Sequence, residues 1–326
     1  WHRALALQAQ LSAWREESGA QTVRWVEVFS HAVHLNASPL SVAESFRERL
    51  GGHPRAWIFT SATLAVKGDF SHYQETMGLE EAQTAKMAHI GAKLLLRPGM
   101  RVLDIGCGFG TLAIALARDH GAQVVGVTLS EVQLAEARRR AAEAGLSDQV
   151  EFRLQDYRAV NERFDRVVSV GMMEHVGLPH LRTYFQKVAD LLTPDGVALI
   201  HYIGRWSPPT TISPWFNKYI FPGAYCPAVS EAMRVVEKTG MILADLEVWR
   251  GHYERTLQEW LNRFDRNIDR IRQLQDDRFV RMWRYYLQSA ELSFSEAHLV
   301  IHQLHLAKGR YTVPVTRDYL YTPSNA

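Results

Sequence analysis

A chain of 326 residues with 47% hydrophobic and 22% charged residues can bury one large core or two modest ones, which excludes a disordered polypeptide. A formal net charge of +2 argues against wholesale nucleic-acid binding. Two cysteines, Cys107 and Cys226, supply neither a disulfide framework nor a metal-ligand cluster, so no metal is expected and a reducing, cytoplasmic setting is. In chain order, residues 5–17 have a helical pattern and residues 23–29 alternate like a strand. Ser38-Pro39-Leu40 opens a capped helix over 42–50, and residues 55–64 read as a strand ending in a hydroxyl-rich turn. An amphipathic helix is predicted over 80–95, a strand over 102–105 and a helix over 111–119. Next come a strand over 123–127 and a helix over 131–144 closed by Gly145. Strands over 150–154 and 164–170, a helix over 181–192 and a strand over 196–203 continue the pattern. After a long helical stretch over 256–292, a last strand is predicted over 299–307. Strands alternating with helices imply a parallel sheet covered on both faces, and the apolar stretches are too short or too charged to span a membrane.

The chain is organised around Val102-Leu103-Asp104-Ile105-Gly106-Cys107-Gly108-Phe109-Gly110. A glycine turn between a buried strand and a helix lets backbone approach a ligand closely, although such turns also serve packing alone. A dinucleotide site has an acid at the tip of the second strand. Here that tip is Thr128-Leu129-Ser130, followed by Glu131-Val132-Gln133, and the acid is Asp104 before the glycines. Asp104 suits a ligand with a cationic amino-acid end. Thr128, Ser130 and Gln133 offer hydroxyls and an amide to ribose, with Ser130 also capping its helix. After the next strand, Asp156 is placed to accept from an adenine amino group and Tyr157 to stack on the base, or to be an ordinary strand-end aromatic. Ser169-Val170-Gly171-Met172-Met173-Glu174-His175 puts Glu174 just beyond a parallel strand, where such sheets hold ligands.

The Asp-x-Gly-x-Gly-x-Gly turn resembles the first motif of S-adenosylmethionine-dependent methyltransferases. With the Glu174 word, Leu199-Ile200-His201, Phe221-Pro222-Gly223-Ala224-Tyr225, His252-Tyr253-Glu254 and Val313-Pro314-Val315-Thr316-Arg317-Asp318-Tyr319, the chain from about residue 79 onward resembles the cyclopropane-fatty-acyl-phospholipid synthases, which include the mycolic acid cyclopropane synthases. That resemblance implies a class I methyltransferase fold: Rossmann-like α/β, a mostly parallel seven-stranded sheet with an antiparallel last strand, and substrate-covering insertions near 205–240 and 250–295. It implies S-adenosylmethionine as cofactor, bound by Asp104, Gly106, Gly108, Gly110, Thr128, Ser130, Gln133, Asp156 and Tyr157. It also implies a bicarbonate ion held by Glu174, His201 and Tyr253. In the family reaction a cis double bond attacks the sulfonium methyl, and proton loss from the resulting cation closes a three-membered ring. The aromatic residues Tyr202, Trp215, Phe216, Tyr219 and Tyr225 are candidates to stabilise that cation or to pack. The 215–227 stretch is expected to shape an acyl tunnel, and His175 to be structural.

The partners so implied are unsaturated phospholipid acyl chains met at the inner membrane face by a peripheral, cytoplasmic enzyme. A homodimer is possible and nucleic acid is not expected. Seven arginines from Arg263 to Arg284 suit anionic head groups, but Asp265, Asp269, Asp276 and Asp277 among them suit a solvated face equally. A methyl- or methylene-branching C-methyltransferase is the alternative within this class. Residues 1–79 instead resemble a fragment of a DinG-like, XPD-related DNA helicase, through Val23-Arg24-Trp25-Val26-Glu27, Leu35-Asn36-Ala37-Ser38-Pro39-Leu40 and Thr60-Ser61-Ala62-Thr63-Leu64. No glycine-rich Lys-Ser/Thr phosphate loop accompanies them, so no ATP-driven motor is expected. The family's Tyr-Ser-Cys-Ala word is replaced by Phe59-Thr60-Ser61-Ala62, which admits an inactive fusion as a further alternative.

Overall fold

The computed structural model describes residues 22–29, 32–39 and 80–321, and the chain divides into two units, Trp1–Ile58 and Phe59–Ala326. In the first unit, strands β1 (Thr22–Phe29) and β2 (Ala32–Pro39) form an antiparallel pair, with Phe29 opposite Ala32 and Val23 opposite Ser38. The predicted strand at 23–29 is therefore present. Ser38 and Pro39, read as a helix start, belong to β2, because cross-strand pairing outweighs a local capping signal. The other elements expected before residue 80 lie outside the described residues.

In the second unit, α1 (Glu80–Lys93) leads into β3 (Arg101–Ile105), α2 (Thr111–His120), β4 (Gln123–Thr128), α3 (Glu131–Glu143), β5 (Val150–Leu154) and β6 (Phe164–Val170). There follow α4 (Leu181–Leu191), β7 (Leu192–Arg205), α5 (Pro214–Tyr219), α6 (Val229–Val236), β8 (Ile242–Trp249), α7 (His252–Arg266), α8 (Ile268–Leu274), α9 (Asp277–Ser295) and β9 (Leu299–Ala307). The seven strands of this unit lie in the order β5-β4-β3-β6-β7-β9-β8. β3 to β7 run parallel, and β9 is inserted antiparallel between β7 and β8. Strand pleating sends alternate residues to opposite faces. Leu103, Ile105, Ala198 and Ile200 thus pack under α4 and α6, whereas Val102, Val124 and Leu199 pack under α1, α2 and α3. Both faces are buried, which is why these strands are runs of Val, Leu and Ile.

β8 was not legible in the sequence. Its acidic residues Asp245 and Glu247 disguise a strand whose inner face is polar, and a register irregularity between Leu243 and Asp245 breaks its alternation. Glu247 lies 2.7 Å from His89 Nε2 and 2.5 Å from Lys93 Nζ, so its charge is compensated by α1.

Candidate active site

The glycine turn is built by strand pairing. Gly106 and Cys107 both donate their backbone N–H to Val127 O at 3.0 Å, which ties the turn to the end of β4. Those amides are committed to the fold, so the turn offers a ligand its missing side chains more than free donors. Gly106, Gly108 and Gly110 all have positive φ, as L-residues with side chains rarely do. Gly126 lies opposite Asp104 on β4, and a Cβ there would come within 2.7 Å of Phe152 and 2.9 Å of Cys107.

A cavity of about 540 Å³ opens at the C-terminal ends of the parallel strands, where such sheets bind ligands. Asp104, Gly106, Gly108, Glu174, His201 and Tyr253 all line it, so six of the residues singled out in the sequence share one space. The remaining six do not line it. Gly110 packs as the N-cap of α2, and Tyr157 meets Tyr184 edge-on at 5.6 Å. Thr128 Oγ1 donates to Gln133 Oε1 at 2.7 Å, and Ser130 caps α3 through Gln133 N–H. Asp156 accepts from Arg158 N–H at 2.8 Å and pairs with its guanidinium.

Glu174 sits on a single helical turn after β6 and is 6% exposed. Its Oε1 accepts the Ile203 backbone N–H at 2.5 Å, while Oε2 is buried without a hydrogen-bond partner. Burial pushes its carboxyl up to about 7, partly opposed by the Ile203 N–H. Asp104 is also raised to about 7, by burial alone. His201 on β7 is 8% exposed. Burial, then Lys86 and Lys93, push it down to about 3, so its ring is neutral at physiological pH. Tyr253, in the first turn of α7, packs against Phe294 at 4.9 Å and Trp260 at 6.0 Å. Lys86, pushed down to about 8 by burial, and Arg205 also line the cavity. Cys226 also lines the cavity with its thiol pushed up to about 12 by burial, which keeps it protonated.

The raised carboxyls have a consequence for stability. A carboxyl whose folded pKa lies above its unfolded value favours folding below the unfolded value, and loses that contribution as pH rises through the folded one. Asp104 and Glu174 place that window between about pH 4 and 7. The buried histidines His201, His302 and His305, pushed down to about 3, 4 and 4 by burial, act in the opposite direction over the same range, so the test is a difference: Asp104→Asn should gain stability relative to the parent as pH rises from 5 to 8 in thermal scans. An unchanged slope in the variant would contradict this reading.

Of the five aromatic candidates only Phe216 lines the cavity. Tyr202 is fully buried on the opposite face of β7, and Tyr225 donates its hydroxyl to Glu231 at 2.8 Å. Trp215 and Tyr219 pack on each other at 5.6 Å. The aromatic wall comes instead from Phe216, Phe221, Trp260, Trp283, Tyr286 and Phe294. Helix periodicity alone cannot tell which side of α7 and α9 faces a cavity. His175 is exposed at the cavity rim rather than packed. Among the arginines, Arg263, Arg272 and Arg284 pair with Glu259, Asp277 and Asp265, as a solvated face would. Sequence reading also missed Gln303, fully buried on β9, whose Nε2 lies 3.1 Å from His201 Nδ1. The signal was there, as His302, Gln303 and His305 are polar residues within an otherwise apolar strand.

The sheet order, the glycine turn after β3 and the site at the strand ends define a class I S-adenosylmethionine-dependent methyltransferase. Coclaurine N-methyltransferase, bound to N-methylheliamine and SAH, shares the fold alone, at 22% identity and a TM-score of 0.61 over 70% of this chain and 73% of that one. More narrowly, the chain belongs to the mycolic acid cyclopropane synthetase family, whose sequence model matches residues 69–304. It is 39% identical over 289 residues to the cyclopropane-fatty-acyl-phospholipid synthase of Escherichia coli K12, covering 85% of this chain and 74% of that one. The cyclopropane synthase MmaA2 of Mycobacterium tuberculosis superposes with a TM-score of 0.67 at 30% identity, over 70% of this chain and 85% of that one. Tuberculostearic acid methyltransferase UfaA1 of the same organism is 36% identical over 231 residues, 69% of this chain and 54% of that one. Among the described residues no helix is long and apolar enough to cross a membrane, and no cluster of His, Cys, Asp and Glu could hold a metal ion.

Proposed function

We propose that the protein transfers a one-carbon unit from S-adenosylmethionine to the cis double bond of unsaturated phospholipid acyl chains and closes a cyclopropane ring. The observation that carries this reading is the buried Glu174 Oε2, which has no partner, in a cavity shared with the neutral His201, an aromatic wall and the glycine turn. The residues present fit the cofactor. Asp104 is a buried acid without a cationic neighbour, and the glycines beside it leave the cavity open. S-adenosylmethionine supplies an electrophilic methyl group there. Asp104, Gly106 and Gly108 would hold its amino-acid end and ribose, and Thr128, Ser130, Gln133, Asp156 and Tyr157, which do not line this cavity, are the residues its nucleoside would have to reach.

The fit extends to a small oxyanion such as bicarbonate, which would supply the base for ring closure. Glu174, protonated in part near neutrality, can donate from Oε2, and His201 and Tyr253 bring an imidazole and a phenol to the same cavity. The aromatic wall excludes water and presents π-faces to a passing cation. The helicase-like sequence lies N-terminal to the family match, which begins at residue 69, and the enzyme meets its lipid at the membrane surface.

The test is incubation with methyl-labelled S-adenosylmethionine, vesicles of unsaturated phospholipid and bicarbonate, followed by fatty-acid mass analysis. The expected product has gained one CH₂ and lost its alkene. A product that has gained carbon as a branch would instead indicate a C-methyltransferase. Absence of incorporation with cofactor binding intact by calorimetry would overturn both. Cofactor binding near pH 7 should also release protons, because a cation beside Asp104 lowers its pKa. That release appears as buffer-dependent binding heat, and Asp104→Asn should diminish it.

A further inference from the structure

Gln303 belongs to a row of side chains that crosses three strands. His201 on β7 pairs with Gln303 on β9, which pairs with Glu247 on β8. Directly opposed residues project to the same face, here the face covered by α1. The row starts at the cavity and ends at His89 and Lys93. Gln303 is 0% exposed, and its Nε2 is 3.1 Å from His201 Nδ1. With the amide nitrogen facing His201, Nδ1 is the acceptor at this contact, and Gln303 Oε1 on the other side is buried without a partner. A neutral imidazole that accepts at Nδ1 carries its proton on Nε2.

We propose that Gln303 is a positioning residue that locks His201 in the Nε2–H tautomer, so that the imidazole presents a fixed donor at that nitrogen. This rests on the reading of Glu174, His201 and Tyr253 as the reactive set. It adds the part that the three cannot supply, since nothing in His201 itself chooses between its two nitrogens. The choice matters chemically. A donor at Nε2 can hold an anion or a developing negative charge, whereas a lone pair there would repel it. The charged groups that bear on His201 are Lys86, His89 and Lys93 from α1 and Glu247 from β8. Burial and three of these groups oppose its protonation and Glu247 favours it, so the ring is neutral and the hydrogen bond to Gln303 is left to choose its tautomer. Trp249, edge-on to the imidazole at 5.5 Å, limits its rotation from the side.

The experiment is long-range ¹H–¹⁵N NMR on the full chain labelled at its histidines, with His201 identified by the signal lost in His201→Asn. The expected result is an Nε2–H tautomer for His201 throughout the neutral range. Gln303→Met keeps the length without the amide. It should leave the tautomer averaged, reduce kcat for methyl transfer by about 10²-fold, and leave the KM for S-adenosylmethionine unchanged. Gln303→Glu places an acceptor at Nδ1, so it should draw a proton there and move the acid limb of the kcat profile upward. An Nδ1–H tautomer in the unsubstituted protein would overturn the proposal. So would a Gln303→Met protein with the wild-type tautomer and pH profile. The tautomer is read without substrate, so failure here is distinct from failure of the proposed reaction. The unsubstituted measurement also stands if a variant does not fold.

Discussion

Glu174→Gln is expected to stop methyl transfer, by at least about 10²-fold in kcat, while making the protein more stable at alkaline pH. The substitution keeps the side chain's length and an oxygen to accept the Ile203 N–H, so the turn after β6 and its contact with β7 survive. What changes is the second oxygen, which is buried and unpartnered and becomes an amide NH₂. A carboxyl can both donate and accept there as it titrates, whereas an amide nitrogen only donates. Any step that passes a proton through this position is therefore lost. The stability gain follows from the same burial. The carboxyl is pushed up to about 7, so above that pH the folded state holds an ionised group that burial disfavours. An amide carries no such charge. The variant should match the parent near pH 4, below both the folded and unfolded values, and gain as pH rises. Near pH 8 its gain should reach up to about 3 kcal/mol. Product analysis beside thermal scans at both pH values checks the pair of effects. Retention of activity within a few-fold would remove Glu174 from the chemistry.

Gly110→Ala should cost about 2–5 kcal/mol of folding stability, combining left-handed backbone strain with overpacking. Gly110 has φ +79°, and a Cβ there would stand 2.4 Å from Phe152 Cζ and 3.0 Å from Ala137 Cβ. Both neighbours are buried core groups, Ala137 on α3 itself and Phe152 on β5, so neither is a flexible end that can swing away. Gly145→Ala is the control. It has φ +68° with nothing within 4 Å of the added carbon, so it carries the backbone term alone. The difference between the two variants in denaturant unfolding measures the crowding against Phe152. Equal costs would show that the glycine is needed for its dihedral only. A larger cost at Gly110 marks it as a packing glycine, unlike Gly106 and Gly108, which line the cavity.

Much of the second unit was legible in the sequence, for local reasons. Buried strands such as β3 and β6 are apolar runs of strand length, and the helices between them repeat at helical spacing. Gly145 and Ser130 mark the ends of α3 by rules that act within a few residues. The same local logic failed at β8, where Asp245 and Glu247 face inward against His89, Lys93 and Arg317. A sequence window around residue 247 contains none of those partners. It failed at Ser38 and Pro39 because a strand partner, absent from the capping pattern, claims them.

Sequence alone determined the alternation of strands and helices, the acid and glycines at the end of β3, and the presence of Glu174 just past β6. Each depends on neighbours within one element or turn. The tertiary structure alone decided that β9 lies between β7 and β8 and that Glu174 leaves one oxygen unpartnered. It alone set Gln303 against His201 across 102 residues of chain. These are properties of buried polar groups. Their partners are supplied by strand order and register, and only packing of the whole sheet can fix those.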